Sequence, residues 1–152
     1  MCSSDLTRSY RCLDSVQAAV AAGAAQAGQT GQVDVARVIS RPAPGVMACF
    51  GGTAVSLRAA GPDRRALGLI ETRSTVALVK AVDQMLKTAD VEYEGSYKVG
   101  YFLTASAIRG DVGAVRVALD AGAVEAGRYG ELVAVHLIPN PYAGLVERLP
   151  HQ

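Results

Sequence analysis

Residues 16–31 and 115–130 of this 152-residue chain are two versions of one passage. Val16-Gln-Ala-Ala-Val-Ala-Ala-Gly-Ala-Ala-Gln-Ala-Gly-Gln-Thr-Gly31 matches Val115-Arg-Val-Ala-Leu-Asp-Ala-Gly-Ala-Val-Glu-Ala-Gly-Arg-Tyr-Gly130 with its glycines in step. The register runs on without a gap through Ile39/Ile138 and Pro42/Pro141, a constant offset of 99 positions. Ala-rich helices resemble one another by chance, but a register kept through glycines, a strand and a proline marks a duplication. The repeat therefore confines the chain to copies of one unit. The first copy carries only the second half of that unit, and roughly 45–50 residues of the complete copy have no counterpart before Leu13.

The second copy reads as a whole. Ala66–Thr72 is a short apolar strand. Ser74 is placed to cap a helix over 75–89, whose Leu78, Val79, Val82, Met85, Leu86 and Ala89 recur at the spacing of one buried face. Val91–Val99 and Phe102–Arg109 read as two strands joined at Gly100-Tyr101. Asp111 is the expected N-cap of a second helix that buries Val112, Val115, Leu119, Ala123 and Ala126 and ends near Gly130, a candidate left-handed cap. Leu132–Ile138 is the last strand, broken by Pro139-Asn-Pro141, and residues 142–149 form a short terminal helix in this reading. The order is βαββαβ, an α/β (α+β) split-βαβ sheet with both main helices on one face. By the offset, the first copy supplies a helix over 13–28 and a strand over 33–39. That strand has no sister strand in its own unit and must borrow an edge or remain unpaired.

Composition narrows the class. Half the residues are apolar, mostly Ala, Val and Leu, and the net charge is +1, which argues against a nucleic-acid binder. No apolar run approaches the roughly 20 residues that span a bilayer, and the polar N-terminus has no secretory core segment. Cys2, Cys12 and Cys49 lack the close pairing of a metal or redox motif, so no metal site is expected and a reducing cytosol is the default compartment.

Residues 66–150 closely resemble the BMC domain of bacterial microcompartment shell proteins. The segments that carry the resemblance are Ala66–Arg73 (ALGLIETR), Val82–Ala89 (VDQMLKTA), Arg109-Gly-Asp-Val112, Ala114-Val115, Asp120-Ala-Gly122, Gly130-Glu-Leu-Val133 and His136-Leu-Ile-Pro139. Residues 10–45 resemble the C-terminal half of the same domain, Ile39-Ser-Arg-Pro42 included. Two domains in one chain resemble the tandem, trimer-forming members, with the first domain truncated. The resemblance implies a BMC-type sheet, a structural role in (pseudo)hexameric tiles, a central pore for small metabolites, and a place in a bacterial microcompartment within the cytoplasm. It implies partners that are other copies (a homotrimer or pseudohexamer) and other shell proteins, with encapsulated enzymes as indirect partners. It implies no cofactor, no nucleic acid and no membrane. The expected divisions are a non-native or disordered tail over 1–9, a half-domain over 10–45, a surface linker over 46–65 and a complete domain over 66–150.

Residue roles divide by what carries them. Lys87, near a helix end, reads on its own as a solvated cation favoured there by the helix dipole. The resemblance makes it a tile-edge contact, whose charge swap is expected to cost little stability. Asn140 stands where the family often has an edge arginine, and the first copy has that arginine as Arg41. The resemblance places Val99, Gly100, Tyr101 and Phe102 at the pore, although the residues alone read as a hairpin turn. The loop has no cysteine, so nothing in it suggests the iron–sulfur cluster of some tandem members. His136 reads as a structural strand histidine, and neither it nor His151 has an acid at triad or metal spacing. Glu92 and Glu94 share a strand face; solvated charges are the plainer reading, an acid–base pair the bolder one. Arg64-Arg65 reads as two solvated linker charges. No nucleophile motif or phosphate loop is found, so the chain is read as a structural protein rather than an enzyme. The alternative is a ferredoxin-like small-molecule-binding regulatory domain, which the same element order would serve.

Overall fold

The computed structural model describes residues 6–50, 65–99, 102–129, 131–142 and 145. The chain divides into two units, Met1–Arg41 and Pro42–Gln152.

The first unit is a helix, α1 (Leu6–Thr30), followed by an extended stretch. Its Ala-rich sequence has high helix propensity, and its side chains from Asp14 on are mostly exposed. Two expectations change here. The helix begins at Leu6 rather than Leu13, so residues 6–9 of the expected tail are helical. Residues 33–39 form no strand. The reason is the one anticipated for an unpaired strand: its backbone N–H and C=O groups find no ladder among the described residues of its own unit.

The second unit is the six-element fold read from its sequence: β1 (Ala66–Thr72), α2 (Thr75–Thr88), β2 (Val91–Val99), β3 (Leu103–Gly110), α3 (Val112–Gly127) and β4 (Leu132–Ile138). The strands form one antiparallel sheet in the order β2-β3-β1-β4. Both caps are as expected. Ser74 accepts from the Ala77 amide, and Asp111 Oδ1 accepts from the Gly113 amide at 2.9 Å. Helix α3 stops at Gly127 with Arg128 as its C-cap, and Gly130 lies outside the described residues. Val112 is exposed rather than buried, because the buried face of α3 is set by Val115, Ala118, Leu119, Gly122 and Ala126. Of the expected terminal helix, only Tyr142 and Leu145 lie among the described residues.

The helix face of the sheet holds Gly68, Ile70, Ser106 and Ile108 against α2 and α3. The two helices are clamped by charge as well as by packing. Buried Glu125 of α3 accepts from Arg128 at 2.7 Å and lies 3.5 Å from Lys80 of α2. On the other face, Leu67, Tyr97, Ala105 and Ala107 form a second buried cluster.

The expected surface linker is only partly one. Residues Pro44–Phe50 form a 3₁₀ turn packed on α2 and β2, with Ala43 and Val46 buried. Val46 is 1% exposed. Val46 carries the docking, since the groove between α2 and β2 removes its side chain from water, while Met47 points out to solvent. Residues 51–64, with Gly51-Gly52, Gly61-Pro62 and Arg64, lie outside the described residues.

Candidate functional site

The strand register arranges the candidate residues by sheet end. At one end, Ala66 pairs with Gly110, Gly110 with Val91, and Leu67 with Ile138. Helix α2 finishes beside Val91, so Lys87 in its last turn lies at this end, as does Asn140, two residues past Ile138. At the opposite end, Val99 pairs with Leu103 and Thr72 with both Thr104 and Leu132. The turn joining β2 to β3 is there. Strands of this length rise about 3.3 Å per residue, so the two ends are roughly 20–25 Å apart. Among the described candidates of the second unit, Lys87 and Asn140 thus lie at one end of the sheet and Val99 and Phe102 at the other.

Phe102, in the turn before β3, is 79% exposed. Gly100 and Tyr101 lie outside the described residues. Lys87 is exposed, and its Nζ donates to Asp83 Oδ2 at 2.6 Å. Asp83 itself is only 4% exposed, and its other oxygen accepts from the Ala43 amide at 2.8 Å. The spacing of an acid four residues before a lysine on one helix is a standard pairing signal that points to Asp83 from sequence alone. Nothing local points to Ala43. Asn140 is exposed in the bend after β4. Arg41, exposed and held at a left-handed φ of 48°, belongs to the first unit.

Other candidates are accounted for differently. Glu92 pairs with Arg65 at 2.7 Å, and Glu94 pairs with buried Arg109 at 3.2 Å. The bulge between Tyr93 and Gly95 breaks their simple alternation, so the two carboxylates are each engaged with a different arginine. Arg65 is therefore an ion-pair partner and not simply a solvated linker charge. His136 lies exposed on β4, the outer strand, opposite Leu69, and is not a core histidine. Leu132, Val133 and Val135 are also exposed on this edge strand. Among the described residues there is no cluster of three metal-ligating side chains. No helix among them is long and apolar enough to cross a membrane.

A polar group sits beneath the docked 3₁₀ turn. The Cys49 thiol is hydrogen-bonded with Tyr93 and Ser96, Tyr93 Oη donates to Ser96 Oγ at 2.7 Å, and Ser96 Oγ meets Ser106 Oγ. Burial pushes the Cys49 thiol above its ordinary 9.0 and the Tyr93 hydroxyl above its ordinary 10.0. Tyr97, on the opposite face, is raised by burial and then by Glu94 and Glu71, and its buried Oη has no hydrogen-bond partner among the described residues. These groups are raised acids that the fold holds neutral. The stability they contribute is complete below the unfolded values of 9.0 and 10.0 and is lost as pH climbs toward the native ones. Urea midpoints are expected to be flat from about pH 7 to about pH 9 and to fall above that. Tyr97→Phe is expected to lessen the fall. It should also hold or raise stability at neutral pH, by up to about 1 kcal/mol, because it deletes an unpaired buried hydroxyl.

Residues 66–141 match the sequence model of the BMC domain. The microcompartment shell protein EutM of Salmonella typhimurium is 51% identical over 85 residues, which is 56% of this chain and 88% of that protein. PduA of Citrobacter freundii, also a microcompartment shell protein, is 45% identical over 87 residues, covering 57% and 94%. The carboxysome assembly protein CcmO of Synechocystis is 41% identical over 142 residues, which is 89% of this chain but 48% of that protein, so this match runs into the first unit and the chain spans about half its length. A solved structure, a microcompartment protein from Desulfitobacterium hafniense DCB, superposes with a TM-score of 0.60 at 28% identity, covering 74% of this chain and 61% of that one. The element order, the sheet and these relatives agree, and the chain belongs to the BMC-domain family of bacterial microcompartment shell proteins.

Proposed function

We propose that this protein is a structural tile of a bacterial microcompartment shell and not an enzyme. In this reading, second-unit sheets radiate about an axis with the Val99–Phe102 loop at the centre and Lys87 and Asn140 at the rim. The observation that supports it is that Val99 and exposed Phe102 lie at one end of the sheet and Lys87 and Asn140 at the other. Backbone amides and Tyr101 rings from several copies would line a narrow opening suited to small polar metabolites. The outer strand β4 supports assembly independently. Its exposed Leu132, Val133 and Val135 sit on an unpaired edge, a combination that proteins normally cover. The first unit, with Arg41 at the position matching Asn140, is read as half of a second tile domain, giving a trimer that imitates a hexamer. Other shell proteins are the partners, and the cytoplasmic interior of a bacterium is the place.

Negative-stain electron microscopy of the purified chain, alone and mixed with a single-domain shell protein, tests the reading. Flat sheets or tubes that contain the chain are the expected result. Dispersed particles under every condition, or a discrete trimer that binds a nucleotide, would refute the tile.

A further inference from the structure

The Asp83 carboxylate serves two masters. Oδ1 accepts from the Ala43 amide at 2.8 Å, and Oδ2 accepts from Lys87 Nζ at 2.6 Å. The carboxylate is buried, so neither bond is idle: a buried charge that loses a partner carries an uncompensated desolvation cost. Ala43 opens the segment that docks through Val46 in the α2–β2 groove and through Cys49 on Tyr93 and Ser96. Gly45 fits against Leu86, one residue from Lys87, so closely that an added Cβ would stand 3.0 Å from Leu86 Cδ1. The same few residues of α2 therefore hold the segment and orient the lysine.

We propose that the Ala43–Phe50 segment is a strap whose seating on α2, relayed by Asp83, sets the position of the Lys87 ammonium. Asp83 is a positioning residue, and Lys87 is the group it positions. With the strap seated, one carboxylate oxygen is fixed on a backbone amide and the other presents a fixed acceptor to Nζ. With the strap lifted, the carboxylate rotates to satisfy itself from water, and Nζ loses this fixed contact. Coupling of this kind is reciprocal: whatever loosens the strap loosens the lysine, and removal of the ammonium loosens the strap. The consequence for lateral packing rests on the tile-edge reading above: edge contacts through Lys87 become conditional on a seated strap.

The test reads strap and lysine separately in dispersed protein, so that it does not depend on sheet formation. Strap seating is measured as the alkylation rate of Cys49 by N-ethylmaleimide, and lysine anchoring as the acetylation rate of Lys87 by acetic anhydride, both from peptide masses. Ala43→Pro removes the N–H donor and leaves Asp83 and Lys87 intact. Val46→Ala weakens seating from the far side of the strap and touches neither bond, which keeps the test decisive if the proline variant fails to fold. In each folded variant both rates are expected to rise at least threefold, and Lys87→Met is expected to speed Cys49 alkylation. A faster Cys49 with unchanged Lys87, or no change in either, would overturn the coupling. Sheets that persist in Lys87→Asp would remove the edge reading while leaving the coupling result standing.

Discussion

Lys87→Asp is expected to leave the second unit folded and to abolish sheets. The substitution puts a carboxylate at the C-terminal end of α2, where the helix dipole disfavours it, and one turn from buried Asp83, which loses its cation. The half-exposed side chain screens much of this, so the expected loss is about 1–2 kcal/mol, a shift of several degrees in melting temperature. That is more than a solvated surface charge would cost, and the difference is Asp83. The effect on assembly is far larger, because each tile repeats the contact around its rim and a repulsive pair at each repeat adds up. Lys87→Gln, which keeps a donor but no charge, is expected to melt close to the parent and to raise the protein concentration at which sheets appear. Pelleting assays and thermal melts on the three proteins separate the two effects. Unchanged sheets in Lys87→Asp would remove Lys87 from the edge.

Gly68→Val is expected to be the most damaging single change in the second unit. A Cβ at Gly68 would lie 2.7 Å from Val115 Cγ1, 2.9 Å from Ile108 Cγ1 and 3.2 Å from Leu119 Cδ1. Valine and isoleucine are stiff at χ1, so these neighbours cannot swing away, and α3 must lift from β1. Overpacking of this degree costs about 3 kcal/mol or more. The contrast is Gly122, where the atoms an added Cβ would strike belong to Met85, a side chain that can bend aside. Gly127→Ala serves as a control, since nothing lies within 4 Å of its added Cβ, and it is expected to be neutral or slightly stabilising. Urea titrations that find Gly68→Val as stable as the parent would contradict the close β1–α3 approach.

The local signals of the second unit were strong because each element agreed with its neighbours. The run ALGLIET, the caps Ser74 and Asp111, and the helical spacing from Leu78 to Met85 each meet their expected place. What sequence reasoning misjudged depends on tertiary geometry. Val112 has an apolar side chain at a helical period but sits on the first turn, off the buried face. Residues 33–39 have strand composition, and composition cannot supply a partner. Residues 46–50 read as the start of a connector because Gly51-Gly52 and Gly61-Pro62 beyond them signal breaks, while the burial of Val46 comes from a groove assembled by residues about 40 positions later. Glu92 and Glu94 read as solvated charges on one strand face, whereas each is engaged by a different arginine and a bulge lies between them. At the candidate site, Lys87 and Phe102 were legible as an exposed helix end and an exposed turn; their opposition across the sheet follows only from register.

The most direct measurement is an electron cryomicroscopy map of the protein in its sheets, resolved well enough to place the β2–β3 turn relative to the lattice axes. The expected map has that turn, with Phe102, at the local symmetry axis of each tile and the end of α2, with Lys87, at the border between tiles. A map with the β2–β3 turn at the outer rim, or with Lys87 facing the tile's own axis, would contradict the account.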